Sequence, residues 1–192
     1  GEGVLPEMVV VFIDGFNSFY VNGPAFQMET AVINDLIPYM EKTYHGAGTK
    51  EGRIIGGISM GGYGTARFAL KYPQLFSNAL MLSPAVWYEI REGQACTDWC
   101  LFDGFAQKSW DREHPAAYMD AYVSAKSPVD FYIYHGEADA AVPHADVDRF
   151  AKELSAIANV HYELAQWRGH DWGTWEVFLN QALEKLGASY SF

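Results

Sequence analysis

The 192-residue chain has few cysteines, few basic residues and no long apolar run, and each shortage excludes a class of protein. No apolar run approaches the roughly 20 residues that a membrane-spanning helix needs. Only 13 basic residues stand against 24 acidic ones, for a net charge of −11, so the surface repels the phosphates of nucleic acids. The two cysteines are too few for a zinc site in their stretch of chain.

The two cysteines, Cys96 and Cys100, lie four residues apart. On a helix this spacing brings the two Cα atoms to about 6 Å, a separation that permits a disulfide. A pair of reduced thiols is the alternative, because the sequence does not reveal the redox compartment. No secretory signal is visible at Gly1, and the localisation stays open between secreted and cytoplasmic.

The composition is that of a compact globular domain. Apolar residues make up 49% of the chain and charged residues 19%, so we expect one domain over residues 1–192. Aromatic residues reach 16%, a content that suits both a core and the walls of a pocket for sugars or phenolic rings.

Apolar, β-branched segments alternate with segments of helical periodicity. The predicted strands lie at 8–14, 52–59, 77–84, 130–137 and 159–166. The predicted helices lie at 30–45, 61–73, 143–158 and 173–187. Pro38 predicts a kink in the first helix. The alternation predicts an α/β fold, a three-layer sandwich with a mainly parallel sheet whose ligands bind at the carboxyl ends of the strands.

Residues 85–127 interrupt this alternation and are rich in Trp, Tyr, Asp and Gly. We interpret them as a lid-like insertion over the carboxyl edge of the sheet, within the single domain. Five aromatic residues are candidates for the wall of an acyl or sugar pocket, with ordinary packing as the alternative for each. They are Trp87, Tyr88, Trp99, Trp110 and Trp172.

The stretch IIGGISMGGYG at 54–64 places a serine among glycines, between a predicted strand and a predicted helix. Gly57, Ser59 and Gly61 form the pattern G-x-S-x-G, in which a tight turn exposes the serine hydroxyl at the sheet edge. Small neighbours let strand and helix approach, and the helix N-terminus favours developing negative charge. The N–H of Met60, the residue after the serine, is the predicted first oxyanion donor.

Other glycine-rich patterns fit this stretch less well. A phosphate-binding loop needs a lysine after its glycines, and a dinucleotide-binding loop needs G-x-G-x-x-G with an acidic partner, and the stretch has neither. A purely structural glycine turn stays open as the alternative to a nucleophile.

A serine nucleophile needs a base that takes its proton, and in this type of fold the chain order is serine, acid, histidine. We favour Asp139 as the acid because it lies in the loop after the predicted strand 130–137, whereas Glu137 lies closer to the strand end. His170 lies in the loop after the last predicted strand and is the predicted base. Asp139 is expected to orient His170 and to stabilise its charged form.

The remaining candidates fit these roles less well. His161 falls inside a predicted strand, and His144 lies at a helix start, where it lines the site at most. Asp171 is interpreted as the cap of the last helix rather than as a catalytic acid. Three histidines precede the acid and fail the order: His45, His114 and His135.

Three stretches together resemble the esterase D, or "putative esterase", family of α/β-hydrolases: GISMGGYGTARFALKYPQLF, YHGEADAAVP and GHDWGTW. That family includes feruloyl and acetylxylan esterases, S-formylglutathione hydrolase and mycolyltransferases. The resemblance implies a serine carboxylesterase with an acyl-enzyme on Ser59 and a triad of Ser59, Asp139 and His170. It implies no metal or organic cofactor, and a small-molecule or oligosaccharide ester as the substrate, with feruloyl or acetyl esters of plant polysaccharide first by analogy.

The chain departs from the family pattern at its N-terminus. Members usually carry further residues ahead of the strand that resembles 8–14, including an interior strand whose His-Gly-type loop donates the second oxyanion amide. The expected fold is therefore an N-terminally truncated hydrolase, and three explanations stay open. The chain is one piece of a longer or cleaved protein, which we favour, or a second copy completes the sheet, or the loop at 14–17 takes the missing role.

Two further functions stay open beside ester hydrolysis. Acyl transfer or thioester hydrolysis uses the same fold and nucleophile. A non-catalytic module that needs a partner chain to complete its site is the alternative of a different class. We expect neither nucleic acid nor membrane as a partner.

Overall fold

The computed structural model describes residues 7–44, 48–90 and 107–188. Four parallel strands form one sheet in the order β1-β2-β3-β4. The strands are β1 (Ile54–Ile58), β2 (Asn78–Leu82), β3 (Asp130–Gly136) and β4 (Asn159–Ala165). Each lies within two residues, at either end, of a strand that the apolar pattern predicts.

Helices cover both faces of this sheet, and the predicted three-layer α/β architecture is confirmed. On one face of the sheet, several helices pack against the strands and form the larger hydrophobic core. On the other face, one long helix packs against the strands and forms a second, smaller core in the described part of the chain. Helices α3 (Met60–Lys71) and α6 (His144–Ser155) lie among those on the first face, and α7 (Trp172–Gly187) covers the second face.

The side chains of β3 show how one strand supplies both cores. Phe131 and Ile133 point into the core under α3 and α6, whereas Tyr132 and Tyr134 pack with Phe178 of α7. The alternation follows from the two-residue period of a strand, and a strand buried on both faces is apolar throughout. Each such buried side chain contributes about 1.5–3 kcal/mol to folding.

The first helical stretch is irregular near Pro38. It consists of α1 (Met28–Thr30), a π-helical segment (Ala31–Leu36) and α2 (Ile37–Tyr44). Pro38 has no N–H to donate to the preceding turn, and the regular α-helical hydrogen bonding is replaced immediately before it. A π-helical turn thus lies directly before Pro38, and the predicted kink stays a prediction.

The predicted strand at 8–14 is wrong. None of these residues belongs to a strand, and the side chains of Val10 and Phe12 are 62% and 94% exposed. In the described part of the chain, β1 is an edge strand and pairs only with β2. A segment with no strand beside it cannot satisfy its backbone groups in a sheet or bury its apolar side chains, whatever its β-propensity.

The ends of the last two helices lie close to their predicted positions. Pro143 is the residue before α6 rather than a member of its first turn. Gly187 is the last residue of α7, as predicted, and the capping residue after it, Ala188, has the right-handed conformation. The predicted cap at Asp171 is confirmed, because its carboxylate accepts a hydrogen bond from the N–H of Thr174 at 2.9 Å.

The described part of the 85–127 stretch contributes to the core. Residues 107–125 form α4 (Gln107–Glu113), a 3₁₀ turn (Pro115–Tyr118) and α5 (Met119–Ala125). Trp110 is buried and stacks on Tyr63 of α3, with 4.8 Å between ring centroids. The lid interpretation stays a prediction, and Cys96, Trp99 and Cys100 lie outside the described residues.

A buried cluster of charges holds α3 to two other segments. The guanidinium of Arg67, 1% exposed, lies 2.6 Å from the carboxylate of Glu29 and 2.5 Å from that of Glu113. Burial opposes the ionisation of both glutamates, but Arg67 and the neighbouring hydrogen-bond donors outweigh it and hold both pKa values below the ordinary range. α3 is therefore anchored to α1 and α4 by ionised groups.

Within the three described ranges, no helix has the length and apolar character that crossing a bilayer requires.

Replacement of Arg67 with leucine removes the cation between two largely buried carboxylates. We expect the free energy of unfolding, measured by urea denaturation, to fall by about 3 kcal/mol. Arg149→Leu is the control, because Arg149 pairs with Glu153 on the exposed surface of α6, and its loss costs at most about 1 kcal/mol. Equal losses for the two variants contradict this account of the cluster.

Candidate active site

Ser59 occupies the tight turn between β1 and α3. Its φ of 55° and ψ of −114° are unusual for a residue with a side chain. Hydrogen bonds to the neighbouring backbone hold this conformation, since the Ser59 N–H donates to the carbonyl of Leu82 at 2.8 Å. The Ser59 carbonyl accepts from the N–H groups of Tyr63 and Ala85, each at 3.0 Å. The strand–turn–helix context that the glycine pattern predicts is confirmed.

Two glycines of this turn have no room for a side chain. A Cβ at Gly57 would collide with the backbone of Gly61, and one at Gly62 would lie 2.9 Å from Cα of Pro84. A Cβ at Gly61 would meet the Tyr20 hydroxyl at 4.0 Å, an ordinary contact. The expected need for small neighbours therefore holds at Gly57, and the second crowded position is Gly62 rather than Gly61.

A continuous chain of hydrogen bonds joins Ser59, His170 and Asp139. His170 Nδ1 lies 2.7 Å from Asp139 Oδ2, and His170 Nε2 lies 2.9 Å from Ser59 Oγ. A carboxylate only accepts, so Nδ1 carries the proton and donates to Asp139. Nε2 then accepts the hydroxyl proton of Ser59. The three side chains predicted from motif and chain order thus come together, although Ser59 and His170 are 111 residues apart.

Asp139 is buried and has partners on both carboxylate oxygens. Oδ1 accepts hydrogen bonds from the N–H groups of Ala141 and Val142, both at 2.9 Å, while Oδ2 accepts from His170. Burial raises the pKa of this carboxyl, but the hydrogen bonds from His170 and Val142 outweigh it and hold the pKa below its ordinary value. Asp139 is therefore a fixed negative charge at neutral pH.

The ring of His170 is oriented by a tryptophan that the sequence analysis did not single out. Trp175 packs edge-on against it with 5.0 Å between ring centroids, and Trp175 Nε1 donates to Ser83 Oγ at 3.1 Å. Trp175 lies in the first turn of α7, directly after the His170 loop. The sequence does contain a feature that points to Trp175: an aromatic residue in the first turn of the helix that follows the predicted base.

Three of the rival candidates have other surroundings than the triad. Glu137 is exposed, and His161 stacks on Tyr132 of the neighbouring strand at 4.8 Å between ring centroids. His144 Nδ1 lies 3.1 Å from Asp148 Oδ2 on the surface of α6. His45 lies outside the described residues.

Met60, the predicted oxyanion donor, is the first residue of α3. The first four N–H groups of a helix have no carbonyl partner within that helix, so the Met60 N–H is available to a developing negative charge beside Ser59. In the loop at 14–17, the Asp14 carboxylate accepts a hydrogen bond from the Phe16 N–H at 2.8 Å, and the Gly15 carbonyl accepts one from the Ser18 N–H.

The aromatic candidates separate into buried and exposed residues. Trp110 belongs to the core, and Trp87 donates from Nε1 to the carbonyl of Ala141 in the Asp139 loop at 3.1 Å. Trp172 is 76% exposed and packs edge-on against Trp175 at 5.1 Å between ring centroids. Trp167, 87% exposed at a φ of 61°, precedes His170 by three residues. Two exposed indoles therefore flank His170 along the chain.

No group of three or more metal-ligating side chains occurs among the residues that the structure describes.

A parallel sheet between layers of helices, with a serine turn after one strand and an acid and a histidine after later ones, defines the α/β-hydrolase class. The sequence matches the family described as "Putative esterase" over residues 14–186, and the chain belongs to that family.

Solved structures of similar fold include several hydrolases. A ferulic acid esterase has a TM-score of 0.70 and 21% identity, with 89% of this chain and 64% of that one covered. FphF, a fluorophosphonate-binding serine hydrolase of Staphylococcus aureus, has a TM-score of 0.73 and 22% identity over 89% and 68%. An S-formylglutathione hydrolase from Agrobacterium tumefaciens has a TM-score of 0.70 and 18% identity over 90% and 63%.

These likenesses establish a shared fold, and this chain spans 63% to 68% of the length of those three proteins. The comparison with curated proteins found no match.

Substitution of alanine at Gly57 forces a methyl group into the backbone of Gly61. We expect the free energy of unfolding to fall by about 3 kcal/mol, because neither strand nor helix can move aside cheaply. Gly61→Ala is the matched control and is expected to change stability by no more than about 1 kcal/mol. Urea denaturation of both variants measures the difference, and a comparable loss at Gly61 contradicts the assignment of the crowded position.

Proposed function

We propose that this chain is a serine carboxylesterase that hydrolyses carboxylic esters through an acyl-enzyme on Ser59. The observation that carries the proposal is the unbroken hydrogen-bonded chain from Ser59 through His170 to Asp139. Ser59 Oγ attacks the ester carbonyl while His170 Nε2 takes its proton, and His170 then gives that proton to the leaving alcohol. Water, activated by the same nitrogen, hydrolyses the acyl-enzyme.

Asp139 acts in this scheme through His170. Its buried carboxylate holds the proton on Nδ1, so that Nε2 faces Ser59 as an acceptor, and it stabilises the imidazolium formed when Ser59 loses its proton. Two backbone donors on Oδ1 keep the carboxylate in place while the charge on His170 changes. The Met60 N–H stabilises the oxyanion at the N-terminus of α3.

The open edge of β1 favours a second candidate, in which activity depends on another chain. In the described residues β1 has a strand on one side only, and the apolar side chains at 8–13 are exposed beside the sheet domain. A strand from a second copy, paired with β1, would satisfy this edge and bring a second oxyanion donor.

Enzyme concentration separates these two candidates. A rate of serine labelling per chain that rises with concentration, together with a dimer in size-exclusion chromatography, supports completion by a second copy. A constant rate in a monomer supports a site made by one chain.

The two exposed tryptophans near His170 support a substrate with a sugar or phenolic ring. His170 hands its proton to the leaving alcohol, so exposed groups beside His170 contact that side of the ester, and indole faces stack on sugar rings and aromatic rings. We propose feruloyl or acetyl esters of plant polysaccharide as the substrates, and the shared fold with a ferulic acid esterase supports this choice.

Acyl transfer and thioester hydrolysis use the same acyl-enzyme. Assays of methyl ferulate, acetylated xylan and S-formylglutathione side by side compare these reactions with ester hydrolysis.

Ser59→Ala removes the proposed nucleophile while it leaves the fold unchanged. We expect release of p-nitrophenol from p-nitrophenyl acetate to fall by at least about 10³-fold, and labelling by a fluorophosphonate to disappear. Ser77→Ala is the control, because the Ser77 hydroxyl bonds to the backbone carbonyls of Glu51 and Arg53, just before β1, and to the side chain of Asn78. Labelling that persists in Ser59→Ala contradicts the proposed nucleophile.

Asp139→Asn tests the role of the carboxylate. The two backbone N–H donors at Oδ1 bind the amide oxygen of the new residue, which turns its NH₂ toward His170 Nδ1. His170 must then accept at Nδ1 and carry its proton on Nε2, where it cannot receive the proton of Ser59. We expect kcat for p-nitrophenyl acetate to fall by about 10³–10⁴-fold.

Asp171→Asn is the matched control for that substitution. Asp171 adjoins His170 but caps α7, and asparagine caps a helix as well as aspartate does. Its activity is expected to stay within about twofold of the wild type. Full activity of Asp139→Asn excludes Asp139 as the acid.

A further inference from the structure

His135 is a second buried histidine close to Asp139. It is the penultimate residue of β3, its side chain is fully buried, and Nε2 lies 3.1 Å from the carbonyl oxygen of Val142. A carbonyl only accepts, so Nε2 carries the proton and donates to Val142. His135 precedes Asp139 in the chain and therefore does not fit the expected order of serine, acid and histidine. No step of the proposed reaction uses it.

The partner of His135 is the residue that holds the proposed acid. Val142 accepts from His135 through its carbonyl and donates through its N–H to Asp139 Oδ1 at 2.9 Å. The N–H of Ala141 donates to the same oxygen. The backbone of Val142 therefore links the two side chains: its N–H holds the carboxylate of Asp139, and its carbonyl, on the next peptide group, is held by His135.

The other ring nitrogen of His135 faces the carboxylate without bonding to it. Nδ1 lies 4.0 Å from Asp139 Oδ2 and has no hydrogen-bond partner in the described part of the chain. Burial lowers the pKa of His135, which keeps the ring neutral, so Nδ1 presents a lone pair to the carboxylate. A neutral His135 with its proton on Nε2 cannot compete with His170 for Oδ2.

We propose that His135 is a positioning residue for Asp139. It anchors the backbone of Val142 by donating its one N–H to the Val142 carbonyl, and it leaves Oδ2 of Asp139 to His170 alone. The kinetic part of this inference rests on the proposed esterase function, whereas the structural part concerns only the hydrogen bond between His170 and Asp139.

A histidine that merely fills the core is the alternative, and the chain offers a control for it. His114 is also buried, and its Nε2 faces the carbonyl of Val86 at 3.4 Å, but it makes no contact with Asp139 or His170. Loss of His114 is expected to reduce stability and to leave the candidate site unchanged.

The test compares three variants: His135→Leu, His135→Gln and His114→Leu. Glutamine can place an amide N–H near the position of Nε2, so His135→Gln is expected to keep the bond to Val142, whereas leucine removes it. The readouts are kcat and KM for p-nitrophenyl acetate, thermal unfolding, and the ¹H NMR resonance of the His170 Nδ1 proton, which lies far downfield when bonded to a carboxylate.

For His135→Leu we expect kcat to fall by about 10- to 100-fold with KM little changed, because a small displacement of the acid misaligns His170. The Nδ1 resonance of His170 is expected to broaden or to move upfield. His135→Gln is expected to recover most of the kcat and the wild-type resonance. His114→Leu is expected to lower the unfolding temperature and to leave both readouts at wild-type values.

Three results overturn the inference. They are an unchanged His170 resonance in folded His135→Leu, a similar spectral change in His114→Leu, and a His135→Gln variant that behaves like His135→Leu while it remains folded. If His135→Leu does not fold, His135→Met, which also lacks an N–H donor, takes its place with the same expected results. If the wild-type chain hydrolyses no ester, the proposed function fails, but the NMR comparison still tests the positioning role.

Discussion

The parallel pairing of β1 to β4 is the constraint on which the candidate site depends. Parallel strands end at the same edge of a sheet, so the loops after β1, β3 and β4 meet there although they are far apart in the chain. Backbone bonds continue the pairing past the strand ends: Ser59 donates to Leu82, Ser83 to Tyr134, and Glu137 to Ala165. The serine, the acid and the histidine are thus fixed by the sheet and not by the loops alone.

The charge states of the side chains at this edge of the sheet depend on how deeply each one is buried. Asp139 is buried but ionised, because donors on both oxygens outweigh the cost of burial. His135, equally buried, has a carboxylate at 4.0 Å, and burial still lowers its pKa. His170 is partly exposed and lies between the carboxylate and Ser59. The proposed mechanism needs this arrangement, in which a buried, ionised acid orients a base that an incoming substrate can reach.

The sequence predicts the parts of this site that local patterns determine. Ser59 was predictable because its turn needs glycine at Gly57, and Asp139 and His170 because each directly follows a strong strand pattern. The role proposed for His135 was not predictable, since it arises from contacts between elements that the sequence does not order in space. The crowding at Gly62 likewise depends on Pro84, which belongs to another loop.

The failed strand at 8–14 has a physical reason of the same kind. An apolar, β-branched segment can form a strand only where a neighbour pairs with it, and the pattern does not reveal whether that neighbour exists. Here the described sheet ends at β1, and the apolar side chains at 8–13 stay exposed.

The edge of β1 that has no partner strand among the described residues lies next to the proposed oxyanion donor, Met60. Ser59 follows β1 directly, so a strand laid along the free edge of β1 would end, or begin its turn, beside the Ser59 hydroxyl. Its backbone would satisfy the edge, its side chains would cover apolar surface, and an N–H at its end would face the oxyanion opposite Met60. One added strand would therefore both pair with the backbone of β1 and supply a second N–H donor for the proposed oxyanion.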